Sequence, residues 1–281
     1  MISGKGDTQS LAPDTVFAAV MITVNGILGL SLLVGTIRGG VTVFNAEGTG
    51  GALATVLTLA TLTLVLPSFT TSRPGPEFTG GQLAFAAVAS LTLYLVFVVT
   101  QTVRHRDFFL PVDVDGGLLG DDAEHAAPTS TRTALVSLGL LVAALVAVVG
   151  LAKVESPAIE SAVAGVGFPP SFVGVVIALL VLLPETLAAV RGARRGRVQI
   201  SLNLALGSAM ASIGLTIPAI ALASIWLEGP LVLGLDPTQI VLLAVTGVAG
   251  MLTVVPGRAT RLQAELHLVL LAAFLFLAVS P

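Results

Sequence analysis

The chain has 281 residues, 55% of them hydrophobic and 10% charged, with a formal net charge of -3 and no cysteine. A soluble domain carries about 25% charged residues, so no water-soluble core accommodates this much apolar surface. Disulfides and thiolate metal sites are excluded, and the scattered basic residues form no pooled cationic face for nucleic acid.

The apolar residues fall in runs of about 20, the helical length that crosses a ~30 Å hydrocarbon core. Stretches such as LVSLGLLVAALVAVVGLA at 135–152 do not alternate apolar and polar, which argues against a transmembrane β-barrel. The pattern predicts an all-α, polytopic membrane helix bundle with about eight spans: 14–37, 51–69, 81–103, 132–152, 170–190, 199–225, 237–255 and 263–280. The opening segment MISGKGDTQSLAPDTV has no basic region leading into a short apolar stretch. It reads as a loop entered in mid-protein rather than a signal peptide.

The first span places Asn25 and Gly26 near its middle, and AAVMITVNGILG can be laid against ALGSAMASIGLT of the sixth span with Asn25 facing Ser212. Such internal symmetry is how many transporters build a site at the bilayer midplane. After the third span, residues 105–131 contain Asp107, Asp113, Asp115, Asp121, Asp122 and Glu124, broken by Gly116, Gly117 and Pro128. This acidic linker divides the chain into residues 1–104 with three spans and residues 132–281 with five. His105 and His125 lie among its acids without metal-ligand spacing, as in a solvated loop.

The connection KVESPAIE after the fourth span reads as an outward loop carrying Glu155 and Glu160, solvated residues at a mouth. Glu160 is the better candidate for an ion-attracting entrance because it lies nearer the fifth span.

The fifth span, VIALLVLLPETLAAV, contains Pro184 and Glu185. A carboxylate at membrane depth costs about 2.5–3.5 kcal/mol on insertion scales, which marks it as functional by default. The competing reading is a residue near the interface that snorkels towards the cytoplasm. Pro184 tips the balance, because it frees a backbone carbonyl that membrane helices tolerate mainly beside protein or a watery cavity.

The sixth span adds Asn203 and a stripe of Ser201, Ser208, Ser212 and Thr216 at intervals of seven, four and four. Small residues and serines also serve simply to pack helices, and Gly207 is expected to admit a neighbouring backbone. Beside Glu185 the stripe supplies the several oxygens that a hard cation requires. His267, one turn into the last span, reads as a helix-packing residue ahead of a proton relay.

Lys and Arg set the orientation. Ten of them (Arg38, Arg104, Arg106, Arg132, Arg191, Arg194, Arg195, Arg197, Arg258 and Arg261) fall on one side of the eight-span arrangement, against Lys5, Arg73 and Lys153 on the other. The positive-inside rule then puts both termini outside and the acidic linker and RGARRGR in the cytoplasm, in a cell membrane.

LLVLLPETLAAVRGARRGRVQISLNLALGSAMASIGLTIPAIAL resembles the second repeat of the ChaA-type calcium and sodium/proton antiporters of the cation/calcium exchanger superfamily. APDTVFAAVMITVNGILGLSLLVG, FNAEGTGGALATVLTLATLTLVLPSFT and DFFLPVDVDGGLLGDDAEH resemble the same family, so the likeness covers nearly the whole chain. It implies two inverted repeats with one essential glutamate each, preceded by three further spans that carry the first-repeat glutamate. Glu185 matches the second-repeat glutamate, Ser208 and Ser212 its polar helix, and Asn25 the partner helix of the first repeat.

The expectation is a secondary transporter exchanging Ca2+ or Na+/K+ for H+, with Glu185 as the cation and proton ligand and Ser208, Ser212, Asn25 and Asn203 around it. No cofactor is implied beyond the transported ions. Partners are the lipid bilayer, inorganic cations and protons, with no nucleic acid; a homo-oligomer stays open. Without the first-repeat glutamate, the chain alone is expected to keep its eight helices and show no proton-coupled flux. Two rival readings are a non-transporting membrane fragment or helper, and an intramembrane enzyme. The second needs two catalytic groups at one depth, and the spans offer no such pair.

Overall fold

The computed structural model describes residues 11–112, 117, 130–226 and 231–280. Asp113, Asp115, Asp121, Asp122, Glu124 and His125 of the acidic linker fall outside them.

The first span is the centre of the bundle. It runs as α1 (Leu11–Met21), a wide π-helical turn (Ile22–Ile27) and α2 (Leu28–Gly39). A helix that is apolar all round sits in the core of a bundle or faces lipid, and this one takes the core. Phe17, Met21, Ile27, Leu28 and Leu32 are accordingly fully buried. Close packing around it depends on missing side chains: a Cβ on Gly29 would lie 3.0 Å from His267 Cβ, and one on Gly35 would lie 2.7 Å from Val198.

Around this axis stand α3 (Ala46–Ala60), α4 (Gly80–Val99), α6 (Phe172–Arg194), α7 (Val198–Ala223), α8 (Pro237–Val254) and α9 (Arg261–Val279). α1 packs on α6, α2 on α9, and α7 on α3, α4 and α6. Their starts are legible in the sequence. Asn45 caps α3 through the Glu47 and Gly48 amides, and Thr79–Gln82 and Asp236–Gln239 form capping boxes at α4 and α8.

α5 (Thr131–Gly165) is a continuous helix of 35 residues. The expected loop at KVESPAIE is therefore corrected: Glu155, Pro157 and Glu160 lie inside a helix. The helix runs on through Pro157, so the proline does not end it. α5 packs against the bundle near its C-terminal end, where Ile159 and Val163 meet Phe172, Val173 and Val176.

Seven helical stretches among the described residues are long and apolar enough to cross a membrane; α5 is not one of those seven. Backbone pairing is what a further crossing by α5 would give. β1 (Val41–Val43) pairs antiparallel with β2 (Arg258–Thr260), which places both on one side of the bilayer and demands an even number of crossings between them. The seven supply five in that interval, and a crossing by α5 would be the sixth. The bridge Glu77↔Val232 makes the same demand at the opposite side, and again a crossing by α5 would complete it. The molecule is an all-α, polytopic membrane bundle.

Candidate functional site

α6 and α7 form a tight antiparallel hairpin. The chain reverses at Arg195–Arg197 through Gly196, whose φ of +75° glycine adopts without strain. Ser201 Oγ then donates to Ala189 O at 2.6 Å, and a Cβ on Gly192 would lie 2.8 Å from the same oxygen. Ser201 is thus a staple of the hairpin rather than a member of the site. The staple sets the register: one turn back along α6 and one turn on along α7, Glu185 comes level with Ala205.

Glu185 is half-buried, and its Oε2 is shielded from solvent with no hydrogen-bond partner among the described residues. The neighbouring Thr186 donates to Leu182 O at 2.8 Å, so the hydroxyl next to the acid is committed elsewhere.

The hydroxyls farther along α7 behave differently from others in the bundle. Thr23, Ser31, Thr63 and Ser90 each donate to the carbonyl four residues earlier, the usual outlet for a hydroxyl in an apolar helix. Ser208, Ser212 and Thr216 are half-buried and make no hydrogen bond among the described residues. Gly207 departs from expectation: nothing lies within 4 Å of where its Cβ would be, so it marks open space beside Ser208 and not a backbone contact.

A cavity of about 300 Å³ opens between three helices, lined by Thr15 and Ala19 of α1, Ala178 and Leu182 of α6, and Ser212 and Thr216 of α7. Glu185 lies one turn beyond Leu182, and Ser208 one turn before Ser212. Ser212 and Thr216 thus line the cavity, and Glu185 and Ser208 do not. Among the described residues no group of three or more His, Asp or Glu side chains could hold a metal ion.

The other predicted residues sit elsewhere. Asn203 Nδ2 donates to Phe109 O at 2.7 Å and its Oδ1 accepts from Gln199 Nε2 at 2.8 Å. It anchors the 3-10 turn Arg106–Phe109 against α7. Glu160 is exposed on α5. Asn25 is fully buried in the π-helical turn, where its Nδ2 donates to Thr246 Oγ1 at 2.9 Å and its Oδ1 lies 2.9 Å from His267 Nδ1.

The sequence reading passed over Thr246 and Thr253 of α8, and Asp14. Thr246 and Thr253 are enclosed with His267, and Asp14 Oδ1 accepts from Gln239 Nε2 at 3.0 Å beside a second cavity of about 320 Å³ that Asp236 also lines. The two threonines carried a faint signal, a hydroxyl at each end of the run TGVAGMLT in an otherwise apolar helix. Asp14, just inside the first span, carried the same signal as Glu185.

The sequence profile of the sodium/calcium exchanger protein family matches residues 1–103 and 136–280. The ionic-transporter candidate y4hA of Sinorhizobium fredii is 44% identical over 285 residues, covering 100% of this chain and 75% of that protein. The sodium-potassium/proton antiporter ChaA of Escherichia coli is 30% identical over 279 residues, covering 98% of this chain and 75% of its own. Among solved structures, the H+/Ca2+ exchanger CAX superposes with a TM-score of 0.68 at 18% identity, covering 96% of this chain and 66% of that one, a likeness of fold. With relatives that are transporters and a profile spanning both halves, the chain belongs to the sodium/calcium exchanger protein family, whose activity class is cation exchange across a membrane.

Proposed function

We propose that the chain exchanges Ca2+ or Na+/K+ for H+ at Glu185. The observation that carries this reading is the shielded, partnerless Oε2 of Glu185 in a family of cation exchangers. A carboxylate in low dielectric needs a partner, and a proton or a cation serves equally well as one. The two therefore compete for one group, which is the minimal chemistry of exchange. Ser208, Ser212 and Thr216 supply neutral oxygens that carry no competing hydrogen bond, as a hard cation requires. Glu160 remains a candidate for drawing ions to the outer mouth, and Asn25 for a ligand from the first repeat.

Access alternates as the two repeats, residues 1–104 and 132–281, move against one another. Both termini lie outside, with RGARRGR and the linker in the cytoplasm. A reporter fused at Gly120 is expected inside and one at Gly167 outside; both on one side would overturn this orientation and the crossing of α5.

The exchange itself is tested by cation-dependent proton flux in vesicles, with Ca2+, Na+ and K+ in turn. In an N-terminally extended chain Glu185→Gln is expected to abolish flux while the protein stays folded, because glutamine keeps the shape and cannot ionise. Retained flux at the parent's apparent affinity would move the site elsewhere. The same assay on an N-terminally extended chain bearing a glutamate helix tests whether a second carboxylate is required.

A further inference from the structure

Asn25, like Asn203, is a candidate ligand whose side-chain oxygen and nitrogen are both engaged. Its Oδ1 can only accept, so His267 Nδ1 carries the hydrogen between them at 2.9 Å. Its Nδ2 donates to Thr246 Oγ1 at 2.9 Å, and the Thr246 hydroxyl in turn points at Met21 Sδ at 3.6 Å. His267 Nε2 lies 3.2 Å from Thr253 Oγ1. Asn25, Thr246 and His267 are 0% exposed, and Thr253 is 2% exposed. A chain of hydrogen bonds thus ties the first span to α8 and α9.

The placement of Asn25 gives that chain a direction. It sits in the π-helical turn Ile22–Ile27, which packs on α6 and α7 as well as on α8 and α9. The turn is therefore shared between the helices that carry Glu185 and Ser212 and the helix that carries His267. π-helical turns occur as single wide turns inside α-helices, frequently at functional sites. Tightening to α-helical pitch rotates the following residues by roughly 100° per residue displaced, enough to part Asn25 from His267 and Thr246.

We infer that His267 is a positioning residue for exchange: by donating to Asn25 Oδ1 it holds that oxygen on the α9 side and sets how readily a cation at the α6–α7 seam can recruit it. This rests on the exchange reading above. His267 itself touches no ion.

The experiment compares, in the N-terminally extended chain, His267→Leu, which deletes both ring nitrogens, with His267→Asn, whose amide nitrogen stands close to where Nδ1 stood. Released from His267, Asn25 is free for the cation, so His267→Leu is expected to lower the KM for the cation about tenfold, the scale of one hydrogen bond, and to slow kcat. His267→Asn is expected to restore both. A staple that only held helices together would change the amount of folded protein and leave KM at the parent's value; that result overturns the inference.

A second readout needs no transport. In the chain labelled with 15N-histidine, Asn25→Ala is expected to shift the His267 Nδ1 resonance, and adding Ca2+ or Na+ to the unmodified chain is expected to shift it in the same sense. A resonance unmoved by both overturns the inference whatever the flux. Absent flux from the N-terminally extended chain would count against the exchange reading, and the ring resonance would still decide this one.

Discussion

Two polar clusters lie within one bundle and are built on opposite terms. Where the first span meets α8 and α9, Asn25, Thr246, Thr253 and His267 are enclosed, and the Asn25 amide and both His267 ring nitrogens have partners. On α6 and α7, Glu185 Oε2 and the hydroxyls of Ser208, Ser212 and Thr216 have none among the described residues, and Ser212 and Thr216 line a cavity. A buried polar group is costly unless it is paired, so a satisfied cluster stabilises one arrangement of helices. An unsatisfied one in contact with open space is completed by what enters from outside. The first region resembles a latch, and the second a receptor for ions.

The largest expected effect separates the two regions outright. Glu185→Gln should eliminate flux in the N-terminally extended chain and leave the unfolding midpoint in denaturant unchanged or raised, since it removes a charge that the fold does not satisfy. Asn25→Leu should by contrast lower stability, by about 2 kcal/mol, because it orphans the His267 N–H in a dry interior. Equal losses of stability in both variants would erase the distinction.

A finer version uses two serines on the same helix. Ser201→Ala breaks the bond to Ala189 O and should cost about 1 kcal/mol of stability. Ser212→Ala removes a hydroxyl that bonds to nothing described, so its cost should stay below about 0.5 kcal/mol, while apparent cation affinity falls. If Ser212→Ala proved the more destabilising of the two, Ser212 would be a packing residue.

The smallest effect concerns space. Gly207→Ala adds a methyl where nothing lies within 4 Å, so stability should hold or rise slightly. Gly48→Ala places a methyl 2.1 Å from Phe108 O and should lower the melting temperature by displacing the Arg106–Phe109 turn. A destabilised Gly207→Ala would mean that the seam beside Ser208 is closed.

How much of this was legible depends on the range of the interaction. Span number, helix type and the acid at Glu185 follow from composition and local pattern, because a bilayer requires about 20 apolar residues per crossing and penalises a charge wherever it sits. The caps at Asn45, Thr79 and Asp236 are equally local, set within three residues of sequence. The helix through KVESPAIE was not, because a proline ends a helix or spares it according to whether the freed carbonyl finds another partner.

Partnership was decided by tertiary structure alone. Ser201 and Ser212 share a stripe and a residue type, yet one meets a carbonyl of the facing helix and the other faces a cavity. Asn203 and Asn25 both read as oxygen donors for a cation, and both spend their amides on distant neighbours, Phe109 and His267. Sequence spacing fixes which face of a helix a residue occupies. What stands opposite that face depends on how helices more than 200 positions apart, such as those of Asn25 and His267, come together, and no local pattern encodes that.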